Sequence, residues 1–269
     1  MPPTEAKVTP RDGTHPLARL LCGDFPPDAE IGKILLHFEM GLNRILRQLG
    51  LLRDPGADAD AVAMFAPFLG RSLLELAASA LLCRLDPFRF LVLREIQQNS
   101  ESDLGLRTKA ALQWAGDILP EIKAKQPLWS DRELKDISRA LLSEYNDYVF
   151  WKRAFDNMEK DTPESGGGRL LSDLRRRGRE PFVPQIRQGL RETYSLFSKY
   201  VHHERLITLP DEPRILSEKL ATALEALAAL AFVANFGTEF HFPLSTADAV
   251  AHLEQLQPRE DVEEHDHDD

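Results

Sequence analysis

Apolar residues recur at intervals of three and four along most of the chain, which is the period of one face of an α-helix. The first such stretch begins near Asp28, runs from Ile31 to Leu49 and ends before Pro55. The second stretch, residues 58–83, is apolar on nearly every side. A helix with this pattern is buried all round, so we expect it at the centre of the fold.

Residues that start or stop helices divide the rest of the chain into further elements. Asp86-Pro87 starts a helix that runs to about Gln98, with aspartate as the N-cap and proline in the first helical position. Residues 130–133 have the Ser-x-x-Glu pattern of a capping box and open a helical stretch to about Lys160, kinked near Asn146. The other predicted helices span about 103–119, 169–177, 184–206 and 213–236, and a last helix opens at Ser245.

Proline, glycine and charge mark the predicted domain boundaries. Residues 1–27 are rich in proline and predict an extended leader, and residues 28–257 form one helical domain. The Ser-Gly-Gly-Gly run at 165–168 is typical of a flexible hinge, and the acidic residues 258–269 predict a disordered tail. We find no strand pattern and no repeat. The predicted fold is therefore all-α, an irregular bundle of roughly eight to ten helices.

The composition, with 43% hydrophobic and 28% charged residues, is that of a globular protein. The two cysteines, Cys22 and Cys83, match no disulfide framework or metal spacing and favour a reducing compartment. The most apolar run, Ala226 to Phe236, is about half of the roughly 20 residues that a membrane span needs. We therefore predict a cytoplasmic protein that makes no membrane contact.

Charge is segregated along the chain, whose net charge is −10. Residues 253–269 hold eight acidic side chains and one arginine, whereas residues 169–205 hold nine basic and four acidic ones. Such a basic segment is typical of a contact with a phosphate backbone, although many basic runs are only solvated surface. The candidate phosphate-binding residues are Arg169, Arg175, Arg176, Arg177 and Arg179, together with Arg107 from the predicted helix 103–119.

Tyr194, Ser198, His202 and Arg205 are spaced by four, four and three residues, so they form one stripe on the predicted helix 184–206. Histidine is suited to general acid or base catalysis, and a nearby arginine to stabilising a phosphate. The candidate catalytic residues are therefore His202, Arg205 and Ser198. The alternative is a set of polar groups that satisfy one another in a packed core.

The segment from Tyr194 to His203 has the pattern Tyr-Ser-x-x-Ser-x-x-Val-His-His and resembles helical bacterial families of the HEPN type. The resemblance implies a helical bundle, and many HEPN proteins are ribonucleases or toxins of conflict systems. The HEPN hallmark places an arginine shortly before the histidine. Here Arg191 precedes His202 by eleven residues, about 16 Å along a helix, so the resemblance is carried over for the bundle alone.

Two functions are in keeping with these patterns. The leading hypothesis is a non-enzymatic helical module that binds nucleic acid or another protein through the basic segment, with the acidic tail as regulator. The alternative is a HEPN-like ribonuclease or toxin of a bacterial defence system. An oligomeric scaffold is a third possibility. The chain contains no P-loop, GxGxxG, GxSxG or CxxC pattern, and we predict neither a cofactor nor a metal.

Overall fold

The computed structural model describes residues 13–54, 56–98, 112–120, 140–164, 166–202, 204 and 212–257. These residues contain ten α-helices, two π-helical turns and no strand, which confirms the predicted all-α class. The π-helical turns are Trp114–Ile118 and Asp147–Trp151. The helices are α1 Pro16–Cys22, α2 Glu30–Leu52, α3 Ala59–Leu85, α4 Pro87–Gln98, α5 Glu144–Asn146, α6 Lys152–Asp161, α7 Gly168–Arg177, α8 Phe182–Val201, α9 Glu212–Ala234 and α10 Thr246–Gln255.

The central position of α3 is confirmed. It packs against α2, α8 and α9, and its buried residues extend from Val62 to Arg84. The apolar half of α9, from Ala226 to Ala234, is also buried. Buried side chains from α1 through α10 join in one hydrophobic core. By length and composition α3 could cross a membrane, but half of its most apolar stretch is buried by these neighbours, as in a core helix.

The prediction of an extended leader over residues 1–27 is wrong for residues 16–22, which form α1. Pro16 stands in the first helical position, where its fixed φ angle favours a helix. His15 caps the helix, because its Nδ1 accepts a hydrogen bond of 3.2 Å from the Leu17 N–H. Every residue from Leu17 to Cys22 is buried among α2, α3, α9 and α10. The predicted disordered tail at 258–269 lies outside the described residues, as do residues 1–12.

The middle of the chain is described in part. The predicted helix 103–119 appears only as the π-helical turn Trp114–Ile118 within residues 112–120, and the capping box at 130–133 lies outside the described residues. The predicted kink near Asn146 coincides with a helix start at Glu144 and a change to π-helical geometry at Asp147. Ser143 caps this start, since its Oγ accepts the Asn146 N–H at 3.2 Å.

The glycine run before α7 is tied to the end of α10. Gly166, Gly167 and Gly168 have φ angles of +119°, +71° and +59°, which glycine adopts more readily than any other residue. The Gly167 N–H donates to Glu254 Oε1 at 2.7 Å, and its carbonyl accepts from Gln257 Nε2 at 2.8 Å. The glycines that predict a hinge at 165–168 therefore adopt a defined backbone conformation, which hydrogen bonds connect to the end of α10. Ser165 is not among the described residues.

Candidate functional site

The Tyr194–Arg205 stripe faces α3 along the second half of α8. Tyr194 and Ser198 are half-buried, and His202 is exposed at the C-cap of the helix, where its N–H donates to the Ser198 carbonyl at 3.0 Å. Arg205, the fourth member of the stripe, lies outside the described residues. The structure therefore brings together Ser198 and His202 of the three predicted catalytic residues.

Close packing of α3 on α8 determines what lies opposite the stripe. A Cβ atom added to Gly70 would lie 2.4 Å from the ring of Phe197, which is fully buried. Glycine at this position lets the two helices approach closely. The next residue of α3 is Arg71, and this approach places its side chain at the end of α8.

Arg71 is the residue that links the stripe to α3. Its Nη1 lies 3.4 Å from Ser198 Oγ and 3.1 Å from His202 Nε2, and its Nε donates to Glu75 Oε1 at 3.0 Å. A guanidinium has donors only, so Nε2 accepts in this arrangement. A hydrogen bond between these two nitrogens requires the His202 tautomer with its proton on Nδ1. In that tautomer Nε2 can accept a proton whenever Arg71 takes another partner.

Tyr194 completes the set of contacts around Arg71. Its hydroxyl donates to Glu75 Oε1 at 2.9 Å, and the Arg71 guanidinium lies over its ring, 5.2 Å from the centroid. Burial raises the pKa of Tyr194, and the hydrogen bond to Glu75 raises it further. Tyr194 therefore holds its proton and fixes the carboxylate of Glu75. We call Arg71, Glu75, Tyr194, Ser198 and His202 the Arg71 cluster.

A groove of about 590 Å³ opens beside the Arg71 cluster, with Tyr194 and Ser198 in its wall. The indole of Trp114 stacks on the Tyr194 ring, with centroids 4.5 Å apart and planes at 11°. Arg191 and Lys199 also line the groove. Flat aromatic surfaces next to cations are the features with which proteins hold single-stranded nucleic acid.

Most arginines of the predicted basic segment are engaged by local partners. Arg175 donates to Thr162 Oγ1 and to the Pro163 carbonyl, each at 2.8 Å. Arg179 pairs with Asp156 at 2.9 Å, Arg176 with Asp173 at 2.8 Å, and Arg169 with Glu225 at 3.6 Å.

These contacts lower the positive charge that the basic segment presents to solvent. Arg177 is exposed in the last turn of α7 and has no ion-pair partner within the part of the chain that the structure describes. Arg107, the sixth candidate phosphate ligand, lies outside the described residues. Four of the five arginines of the basic segment that the structure describes therefore have local partners, and its phosphate-binding role stays a prediction.

Sequence reasoning missed Arg71, Glu75 and the position of Trp114. The signal that was available is an arginine and a glutamate four residues apart in a helix that is otherwise almost wholly apolar. Such a pair in a core helix points to a polar contact with another element. The element itself could not be read from the sequence, because Arg71 and His202 are 131 residues apart.

Within the described ranges, no group of three or more histidine, cysteine, aspartate or glutamate side chains is placed to hold a metal ion. Comparison of the chain with protein families, curated proteins and solved structures finds no match.

Proposed function

We propose that this protein binds single-stranded RNA at the Arg71 cluster and cleaves it there. The observation that carries the proposal is the contact of Arg71 with both Ser198 and His202. It places a phosphate-binding cation within hydrogen-bonding distance of an imidazole that can accept a proton. α3 supplies the cation and α8 supplies the imidazole, so the pairing is a property of the folded chain.

RNA is the proposed substrate because it carries its own nucleophile. His202 Nε2 takes the proton from a ribose 2′-hydroxyl, and the 2′-oxygen attacks the adjacent phosphorus. The bond from phosphorus to the 5′-oxygen of the next nucleotide breaks, and that oxygen takes the proton back from His202. The products are a 2′,3′-cyclic phosphate and a 5′-hydroxyl end.

Arg71 has two parts in this proposal. A phosphate oxygen replaces His202 as the partner of Nη1, which frees Nε2 for the proton transfer. The guanidinium then stabilises the negative charge that develops on the phosphate oxygens in the transition state. Ser198 offers a further hydroxyl to the same phosphate, since its Oγ lies 3.4 Å from Arg71 Nη1 and the residue lines the groove.

The groove supports a single-stranded substrate. One base would stack on the face of Trp114 that Tyr194 does not cover, while Arg191 and Lys199 contact the backbone. Arg71 lies beside His202 in space, whereas the HEPN pattern places its arginine shortly before the histidine in the sequence. We propose a cytoplasmic location for this activity, in line with the absence of a disulfide between Cys22 and Cys83.

A second candidate function is non-catalytic binding of a nucleic acid or protein partner by the basic segment. The high exposure of Arg169 and Arg176, 65% and 78%, favours it. The second function allows RNA binding, but only the first predicts chemistry at His202.

The experiment that separates them is incubation of the purified full-length protein with end-labelled single-stranded RNA and with DNA of the same sequence. We expect the RNA alone to be cut, with ends that carry cyclic phosphate. His202→Ala and Arg71→Gln should each lower the rate about a hundredfold or more, whereas Arg214→Gln, which breaks another i,i+4 ion pair with a glutamate, should not.

The charge-reversal variant Arg176→Glu/Arg177→Glu tests the second function in the same assay. Cleavage that persists in this variant supports the Arg71 cluster as the site. If the wild type binds RNA without cutting it, and only this variant loses the binding, the second function is established and the first is overturned.

A further inference from the structure

A separate groove lies between α2 and α4, with a volume of about 500 Å³. This is within the usual range for small-molecule sites, about 300–1,000 Å³. Ser79 of α3 forms part of its floor, and its hydroxyl is turned to the Glu75 carbonyl at 2.8 Å. The groove shares no lining residue with the groove beside the Arg71 cluster.

The inner walls of this α2–α4 groove are apolar. Phe38 and Phe90 meet edge to face, with ring centroids 5.8 Å apart and planes at 89°. Ile34 and Leu93 line the groove beside them. Perpendicular rings leave one aromatic face and one edge directed at whatever occupies the space, which suits an aromatic or aliphatic body.

The rim of the groove is cationic. Lys33 and Arg94 lie at its mouth together with the exposed imidazole of His37. Glu30 binds both cations, at 2.5 Å to Lys33 Nζ and through a short hydrogen bond from Arg94. Glu30 is itself 59% exposed and does not line the groove. The two cations at the rim of the groove, Lys33 and Arg94, are therefore paired with a carboxylate that lies outside the groove.

We propose that the α2–α4 groove binds a small amphiphilic anion, a carboxylate or sulfonate on an aromatic or short aliphatic body. The body lies between Phe38, Phe90 and Ile34, and the anionic head reaches Lys33 and Arg94. A charge-assisted hydrogen bond to guanidinium or ammonium is about twice as strong as a neutral one, so the head gives the site its selectivity for anions over neutral ligands of the same shape.

Glu30 acts in this account as an internal competitor. Its carboxylate pairs with Lys33 and Arg94 when no ligand is bound. The anionic group of a ligand must therefore displace the Glu30 carboxylate from Arg94. Removal of this one negative charge should therefore tighten binding, whereas removal of either cation should weaken it. This opposite response is specific to the proposed geometry, because non-specific adsorption to exposed aromatic rings depends on none of the three side chains.

The test is a fluorescence titration of the full-length protein with anilinonaphthalene sulfonate, an aromatic anion, and with the uncharged phenylnaphthylamine. We expect Arg94→Gln and Lys33→Gln to weaken sulfonate binding by about tenfold and to leave the neutral probe unchanged. Glu30→Gln should tighten the sulfonate by severalfold. Ile34→Trp, which fills the groove, should abolish both, provided that its circular dichroism matches the wild type.

Two controls make the test decisive. Arg214→Gln removes an exposed arginine that pairs with Glu218 within α9, away from this groove. Phe88→Ala removes the most exposed phenylalanine, which lines a different groove. Neither should change the affinity for either probe. The proposal is overturned if the wild type does not bind the sulfonate, if the three charge variants bind it alike, or if Phe88→Ala alone abolishes binding.

Discussion

Arg71 Nη1 and His202 Nε2 lie 3.1 Å apart, although 131 residues separate them in the chain. The two residues come from different helices, so the sequence of neither helix alone indicates that they are in contact. Arg71 follows Gly70 in the central helix α3, and His202 ends α8, where it caps the last turn. The contact depends on how closely these helices pack, so the candidate site and the core are physically linked.

The first prediction concerns this packing. Gly70→Ala should lower the free energy of unfolding by about 1–3 kcal/mol, since its Cβ would lie 2.4 Å from the buried Phe197 ring. Gly189→Ala is the matched control. Gly189 is also helical, and nothing lies within 4 Å of an added Cβ, so the alanine should stabilise by about 0.5–1 kcal/mol. Urea unfolding of both variants measures the difference, and equal effects would contradict the packing argument.

The second prediction concerns Arg84, which is fully buried and has no carboxylate partner among the residues that the structure describes. Its guanidinium donates to the carbonyls of Leu20 and His241, each at 2.9 Å, and to Asn235 Oδ1 at 3.2 Å. Burial lowers the pKa of Arg84 to about 10, so it remains charged at neutral pH. The C-terminal ends of α1, α3 and α9 meet around it, and their negative dipole ends favour a cation.

Arg84→Met should therefore cost about 3 kcal/mol or more. It removes the donor to the His241 and Leu21 carbonyls, and it removes one of two donors to the Leu20 carbonyl and to Asn235 Oδ1. Arg214→Met, at a position whose side chain is 64% exposed, should change stability by less than about 0.5 kcal/mol. Denaturant unfolding followed by circular dichroism provides the comparison. A cost below about 1 kcal/mol at Arg84 would mean that water or backbone movement replaces the lost donors.

The third prediction concerns pH. Burial lowers the pKa of His252 and of His15 from the ordinary value near 6.5. A lowered folded-state pKa means that the unfolded chain binds more protons below pH 6.5. The resulting stability is complete above that pH and is lost as the pH falls through the folded-state pKa. His252→Gln should make the unfolding free energy fall less steeply on acidification, as urea titrations at pH 7, 6 and 5 would reveal.

The control for this prediction is His37→Gln, since His37 is exposed on α2. Of the two variants, His252→Gln should show the larger change in the fall of stability on acidification. A steeper fall in the His252 variant would show that the sign of this argument is wrong.

The fourth prediction separates two neighbouring arginines of the basic segment. Arg175 holds the chain before the glycine run through Thr162 and Pro163, so Arg175→Ala should destabilise by about 1–3 kcal/mol. Arg176 is 78% exposed and pairs only with Asp173 among the described residues. Arg176→Ala should change stability by less than about 0.5 kcal/mol. Thermal unfolding of the two variants tests this, and equal melting temperatures would contradict it.

The helices that the sequence predicts best have both a clear apolar period and an end signal. α4 begins at Pro87 and ends at Gln98, and α10 begins after Ser245, whose hydroxyl accepts the Asp248 N–H at 3.1 Å. α2 was predicted from its apolar period, and α3 from a long stretch that is apolar on nearly every side. α1 was missed because it has only seven residues, too few to reveal a period against a proline-rich background.

The candidate site was predictable only within one helix. Ser198 and His202 share a face by spacing, and the structure confirms that they lie together. Arg71 and Trp114 join them through packing between elements that are distant in the chain, and no local pattern encodes such a pairing. Arg175 and Arg179 show the opposite case. They belong to a run of arginines that predicts a phosphate site, whereas in the fold both side chains bind nearby groups of the protein.

The central claim is that Arg71 and His202 act together on one phosphodiester. Its most direct test is the single-turnover rate of cleavage of a labelled single-stranded RNA by the wild type, Arg71→Ala, His202→Ala and the double variant. We predict that each single change lowers the rate about a hundredfold or more, and that the double variant is no slower than the slower single variant, because the two groups act as a unit. Intact RNA with the wild type, or equal rates for all four proteins, would contradict the claim.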